Sequence, residues 1–269
     1  MPATVARPED AEILTGTTTA VRQAAERLRE RYVPASRPSS LDELMSALHA
    51  NDEAVLDVLR PALAEIRPGA GWVEEELESG ALPAGEWWVV DPAEGNMNHV
   101  HGMPEWGVTV TLVRDNEPVL AAVHLPLFAA MYTALAGGGA FRDGEALRVS
   151  EKTELGLAVV GTSQASPGSG PETVGTVGDS IAAMLHAAMV VRAGVPASLH
   201  MLNVAAGSMD VFWQFAGARA DLLPGALLIA EAGGLVTDAH GAPWTTSSDT
   251  FLAAAPGVHQ QAMSTLSTL

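Results

Sequence analysis

Residues 87–96 read Trp-Trp-Val-Val-Asp-Pro-Ala-Glu-Gly-Asn, and no other stretch constrains the chain as tightly. An apolar run ends abruptly in an acid, a proline, a second acid and a glycine. Aromatic and β-branched residues suit a pleated core surface, so the run predicts a buried strand. Pro92 is expected to stop the ladder and Gly95 to allow a tight turn. The carboxylates of Asp91 and Glu94 would then stand at the strand's C-terminal end. Carboxylates gathered on such a turn suit a hard cation, because Mg²⁺ prefers oxygen ligands. A merely solvated acidic turn is the alternative.

Composition narrows the function. The 269 residues are 48% apolar, enough for a full hydrophobic core, and contain no cysteine. Disulfides, thiolate metal sites and a cysteine nucleophile are excluded, which fits a cytoplasmic location. No apolar run approaches the roughly 18 residues of a membrane span, and no secretory signal is visible. Net charge is −18. Such a surface repels nucleic acid and anionic membranes, so neither is expected as a partner. A phosphorylated substrate would be repelled too, unless cations neutralise the site locally. Lys152 is the only lysine and lies in a polar turn, which argues against Schiff-base chemistry.

Periodicity predicts a helix over 15–32, capped by one of Thr17, Thr18 or Thr19. Ser40 and Glu43 resemble a capping box opening a helical region to about Ile66, with a break near Asn51. A short strand over 71–73 leads into Glu74-Glu75-Glu76. An alternating strand over 106–113, a returning strand over 119–125 after the turn at Asn116-Glu117-Pro118, another over 131–136 and a hairpin turn at Asp143-Gly144 lie at the short spacing of an antiparallel sheet. Beyond it, short strands near 157–161, 190–191, 211–213 and 235–237 alternate with helices over 173–189, 197–206 and 224–232. Residues 1–150 thus read as helices plus an antiparallel sheet. Residues 151–269 read as an α/β half, the two forming one compact unit.

Three acidic clusters lie far apart in sequence: Glu74 to Glu76, Asp91 with Glu94, and Asp221 ahead of a helix. A metal site assembled from separate loop ends has this form, although each cluster alone also reads as a solvated run or an ordinary helix cap. If Gly95-Asn96 opens a helix, its free N–H groups suit phosphate, and metal with phosphate implies phosphoryl chemistry. His99 and His101 read as hydrogen-bonded structural histidines rather than as a metal pair. Nucleophile-elbow and Walker glycine patterns are absent.

Residues 88–104, Trp-Val-Val-Asp-Pro-Ala-Glu-Gly-Asn-Met-Asn-His-Val-His-Gly-Met-Pro, resemble the W-x-x-D-P-x-D-G-T-x-N-F-x-H-G-x-P signature of the inositol monophosphatase family. Ala220 to Gly225, with Glu231-Ala232-Gly233-Gly234, is similar to its second signature. Glu75-Glu76, the Asn51-Asp52 pair (a Thr-Asp pair in the family) and Gly137 to Phe141 resemble flanking elements.

The resemblance implies a layered αβαβα sandwich and Mg²⁺-dependent hydrolysis of a small phosphorylated alcohol, sugar or nucleotide, in a homodimer. Carried over by position, Glu75, Asp91, Glu94 and Asp221, with the Ala93 carbonyl, would hold the metals. Glu75 would act in catalysis with Asp52 and Asn96, the last two beside the attacking water. Gly95 and Asn96 amides would hold phosphate, and Ala197, Asp210 and Gln214 would face the alcohol. This chain has Glu94 and Asn96 where the signature has aspartate and threonine. Gln214 replaces a glutamate of several relatives, Val195-Pro196 a Gly-Ser/Thr pair and Ala220 a tryptophan. These departures keep open a non-catalytic binding protein, or different chemistry, on the same scaffold.

Overall fold

In the computed structural model, which describes residues 5–74, 80–165, 168–215 and 219–267, the first helix begins earlier than its threonines suggest. Helix α1 spans Asp10–Arg31, and the hydroxyls of Thr17 and Thr18 donate back to carbonyls four residues earlier instead of capping. Helix α2 spans Leu41–Ile66 without a break at Asn51. Ser40 Oγ accepts from Glu43 N at 3.2 Å, but the Glu43 carboxylate turns back to Ser39 rather than to Ser40.

Strands β1 (Gly71–Trp72), β2 (Glu86–Glu94), β3 (Gly107–Arg114), β4 (Glu117–Leu125), β5 (Ala130–Leu135), β6 (Gly139–Arg142) and β7 (Glu145–Ala146) form one sheet in that order. All its pairs are antiparallel except β1 with β2. The short helix α3 (Asn96–Val100) follows β2. The second half supplies β8 (Val159–Thr162), α4 (Pro171–Ala187), β9 (Val190–Ala193), α5 (Ala197–Ala205), β10 (Val211–Phe215), α6 (Arg219–Glu231), β11 (Leu235–Thr237), β12 (Thr250–Ala254) and α7 (Pro256–Leu266). Its sheet runs β11-β12-β10-β8-β9 and mixes parallel with antiparallel pairs. Strand β12 and helix α7 have no counterpart in the periodicity reading. Pro224 reads as the start of a helix but lies inside α6, so Asp221 stands in the first turn instead of ahead of it.

Three cores join five layers, the middle one enclosing α5 and α6 between the two sheets. Trp88 and Val90 of β2, Val108, Val110 and Leu112 of β3, and Leu120 and Ala122 of β4 pack beneath α1 and α2. Alternate residues of those strands, Val89, Ala121 and Val123, face the opposite way, toward α5, α6 and Phe212 of β10. Val211 and Trp213 then face a third core with α4 and α7. Period-two alternation on both sheets therefore generates the αβαβα order.

An ion network fastens α1 to the large sheet. Arg114 donates to both Asp10 oxygens, at 3.1 and 2.7 Å, and its Nε donates to Glu86 at 2.6 Å. Arg67 donates to Glu86 as well. Asp10 is fully buried. Burial alone would raise its pKa, but hydrogen bonds from Arg114 and from the Arg7 N–H hold it below the usual carboxylate value. Its contribution is present above about pH 4 and is lost as pH falls through that depressed value. Arg114→Ala leaves a buried carboxylate unpaired and should cost about 3 kcal/mol or more at pH 7 by denaturant unfolding. The deficit should narrow in acid as Asp10 takes up a proton.

Candidate functional site

Strand β2 continues through Pro92 instead of ending at it, and the reason places the site. Asp91 pairs with Thr109 and Glu94 with Gly107, so two β2 residues, Pro92 and Ala93, oppose the single residue Val108. This bulge leaves Pro92 outside the regular ladder, where its missing N–H costs little. It also changes parity. Residues 91 and 94 would face opposite sides of a regular strand; with the bulge, Ala93 joins Trp88 and Val90 under the outer helices, and Asp91 and Glu94 share the inner face. Gly95 then turns the chain at φ +78°, where a Cβ would come within 2.6 Å of the Glu105 carbonyl oxygen. Only glycine meets both demands.

Asp91, Glu94 and Asp221 converge, each offering a carboxylate oxygen within 4.8 Å of the others. Asp91 Oδ1 accepts from Ala93 N at 2.9 Å, which fixes the turn. Glu94 is 3% exposed, and its Oε1 accepts from Ser198 Oγ at 2.8 Å and Ser198 N at 3.3 Å. The glutamate thus reaches the first turn of α5, where a negative charge is favoured. Three hard oxygen donors from two segments, β2 and α6, fit a divalent cation.

These carboxylates line a cavity of about 530 Å³ together with Asp52, Ala93, Gly95, Asn96, Ala197 and Gln214. Met45, Leu48, Met97 and Val195 form an apolar side of it. Met45, Leu48, His49 and Asp52 reach it from one face of α2, as spacings of three and four dictate. Gln214 follows Phe212 on the inner face of β10; it is 7% exposed, and its Oε1 has no hydrogen-bond partner among the described residues.

Burial pushes the Asp52 carboxyl up to about 6, against the lowering effects of His49 and of a hydrogen bond from Asn96 Nδ2 at 2.9 Å. Asn96 is fully engaged: its second N–H donates to the Leu48 carbonyl at 3.1 Å, and its own carbonyl accepts from Asn51 at 2.8 Å. It therefore acts on Asp52, and its amide has no further donor to offer a water.

Other expected residues lie elsewhere. Asp210 is fully buried and does not line the cavity; it accepts from Lys152 Nζ at 2.8 Å, Val159 N at 2.7 Å and Ser150 Oγ. Expected beside the substrate, it here anchors the base of β10. Glu75 lies outside the described residues, and Glu74 is bound by Arg60 at 3.0 Å. The histidines are structural: His99 contacts the Leu28 carbonyl and Asn51, and His101 the Met97 carbonyl. Ser198 was not singled out by sequence, and neither was Asn98; Asn51 was noted as partner of Asp52 in the family's Thr-Asp pair, without the contacts it makes here. Asn98 donates to the Glu105 and Val195 carbonyls, tying α3 to the loop before α5. Its only sequence signal was its place inside the first signature.

Residues 9–268 match the family model described as "Inositol monophosphatase family". The chain belongs to that family. An inositol-1-monophosphatase of Rhizobium meliloti is 38% identical over 189 residues, 68% of this chain and 69% of the relative. A putative Nus factor SuhB of Neisseria meningitidis is 30% identical over 85% of this chain and 86% of its own length. The solved inositol monophosphatase from Anabaena superposes with a TM-score of 0.80 over 96% of each chain, at 23% identity, and shows the same fold. Membership supports metal-dependent hydrolysis of a phosphomonoester. No helix among the described residues is long and apolar enough to cross a membrane.

Two measurements test the site. Converging carboxylates repel one another, so a cation relieves strain as well as binding. Mg²⁺ at a hundred times its dissociation constant should stabilise the chain by about 2.7 kcal/mol, and Asp91→Asn should remove most of that gain in a thermal-shift titration. For Asp52 the raised pKa means that the native state holds a proton the unfolded chain has lost between about pH 4 and 6, so stability falls as pH rises through that window. In metal-free protein, Asp52→Asn should therefore gain melting temperature over the wild type at pH 8, and lose that advantage by pH 4.

Proposed function

We propose that this chain is a Mg²⁺-dependent phosphatase of a small phosphomonoester: a phosphorylated alcohol, sugar or nucleotide. The convergence of Asp91, Glu94 and Asp221 beside Asp52 in one cavity carries the reading. Asp91, Glu94 and Asp221, with the Ala93 carbonyl and Glu75, would hold the cations. When bound, these polarise the phosphate, activate water and neutralise the leaving alkoxide. Asp52, with a carboxyl titrating near 6, is ionised at neutral pH and can accept the proton of a water aligned on phosphorus. Asn96 fixes the Asp52 carboxylate in direction. The Gly95 and Asn96 amides, at the start of α3 beside the carboxylates, are the expected phosphate donors. The alcohol would rest against Gln214, Ala197 and the apolar side. A cytoplasmic homodimer is the assembly in which we place it.

The second reading is a binding protein on the same scaffold. It is favoured by the name of the Neisseria relative and by the commitment of a Glu94 oxygen to Ser198. A phosphate-release screen over many phosphomonoesters, with and without Mg²⁺, decides between them: no release from any ester by a Mg²⁺-binding chain would favour the binder.

The cavity also ranks substrates. Gln214 is uncharged, Leu48 and Val195 offer no hydrogen bonds through their side chains, and Met45 and Met97 offer only weak thioether acceptors. Inositol monophosphate, whose hydroxyls need partners, should be turned over less well than other esters in the screen. Gln214→Glu should improve its kcat/KM by about tenfold, the scale of one charge-assisted hydrogen bond. Inositol monophosphate emerging as the best substrate of the unaltered chain would overturn this assignment of Gln214.

A further inference from the structure

Three residues that depart from the family pattern hydrogen-bond to one another. Asn51 stands where the Thr-Asp pair has threonine, Asn96 where the first signature has threonine, and His99 where it has phenylalanine. Asn51 Nδ2 donates to Asn96 Oδ1 at 2.8 Å and meets His99 Nδ1 at 2.9 Å. We propose that Asn51 and His99 are positioning residues for Asp52, acting through Asn96, and that the three form a unit that works only as a set.

Counting donors and acceptors supports this. Asn51 is 2% exposed; both its N–H groups are spent on Asn96 and His99, and its carbonyl accepts from Arg31 Nε at 2.8 Å. Asn96 spends both N–H groups on Leu48 and Asp52. Neither amide can flip without setting like atoms against each other. His99 Nε2 lies 2.9 Å from the Leu28 carbonyl and must carry the proton, so Nδ1 is left to accept from Asn51. Burial holds the imidazole in this neutral form, aided by the nearby Arg31 charge. Tyr32 and Trp106 pack edgewise or tilted around the ring and its neighbours. A path of directed hydrogen bonds thus runs from the end of α1 to the carboxylate of Asp52.

A threonine at 96 has one hydroxyl and could not replace three hydrogen bonds. It would strand a buried Asn51 N–H, a costly state, and free Asp52 to turn. Phenylalanine at 99 would strand the other Asn51 N–H. The residues can therefore be exchanged together but not singly.

The proposal rests on Asp52 as the group that orients water, so its test needs a readout apart from hydrolysis. In the metal-free full chain, ¹³C titration follows the Asp52 carboxyl, its signal being the one missing from Asp52→Asn. The hydrogen bond from Asn96 favours the ionised form, so Asn51→Ala should move the midpoint upward, as Asn96→Ala does. The two together should move it no further than Asn96→Ala alone. An unmoved midpoint in folded Asn51→Ala would overturn the proposal. Should that variant fail to fold, Asn51→Thr takes its place. In thermal unfolding, Asn96→Thr and His99→Phe should each lower the melting temperature by about 3 °C. The triple variant Asn51→Thr/Asn96→Thr/His99→Phe should recover most of the loss, whereas simple addition would overturn the unit. On an ester that the chain hydrolyses, Asn51→Ala should cut kcat about tenfold with KM unchanged. Absence of hydrolysis by the unaltered chain would sink the phosphatase reading and leave titration and unfolding to decide the positioning.

Discussion

Like charges do not gather unaided, and here three carboxylates lie within 4.8 Å of one another. Their repulsion must be held by backbone that cannot relax, and each carboxylate is fixed by a different device. Asp91 is locked by the Ala93 N–H within the bulge of β2. Glu94 is drawn to the first turn of α5 by Ser198. Asp221 stands in the first turn of α6, where the helix dipole favours a negative charge. The large sheet carries two of the three, while of the helices between the sheets α6 carries the third and α5 braces Glu94. The sandwich therefore provides opposed rigid layers whose ends meet at the cavity.

Farther from the cavity, the same logic ties the two sheets' chemistry together. Glu231, at the end of α6, accepts from Gly137 N at 2.7 Å and Gly139 N at 2.8 Å in the turn between β5 and β6. Residues of the second signature therefore clamp the glycine turn of the first half. Asp221 and Glu231 lie at opposite ends of α6, so a single helix sets a carboxylate in the site and docks on the hairpin. Asp210 plays a similar part for β10. Its buried carboxylate takes the chain's only lysine and the Val159 N–H, which fixes the strand carrying Gln214.

Most strands were legible because apolar or alternating runs bounded by turn residues are local signals that survive tertiary context, whereas the layer order followed from the family resemblance. Asp91, Glu94 and Asp221 were legible for another reason: the spacing of the two signatures. What was not legible came from long-range pairing. Pro92 argued for a strand end, yet a bulge two residues long absorbs it. Pro224 argued for a helix start, yet α6 opens five residues earlier, with buried Arg219 donating to the Gly80 carbonyl. Asp210 read as a substrate residue because it was carried over by position from the family resemblance. Ser150, Lys152 and Val159, which claim it, are more than fifty residues away in sequence. Ser198 carried no signal at all, since it lies outside both signatures and meets Glu94 from more than a hundred residues away.

That last pairing shows how departures from a signature should be weighed. Taken one at a time, a longer acid at 94 and amides at 51 and 96 look like erosion of an active centre. Random erosion leaves buried polar atoms unpaired, because each lost partner strands another group. Here the opposite holds. Glu94 meets a hydroxyl and an N–H, both Asn51 N–H groups are taken, and Asn96 uses its carbonyl and both its donors. A decayed site has no reason to satisfy every new donor while holding Asp52 by a 2.9 Å hydrogen bond, whereas a site reshaped around a retained carboxylate must. The buried Gln214 Oε1 is the exception, and it belongs to a side chain lining the cavity, where a bound alcohol could donate to it.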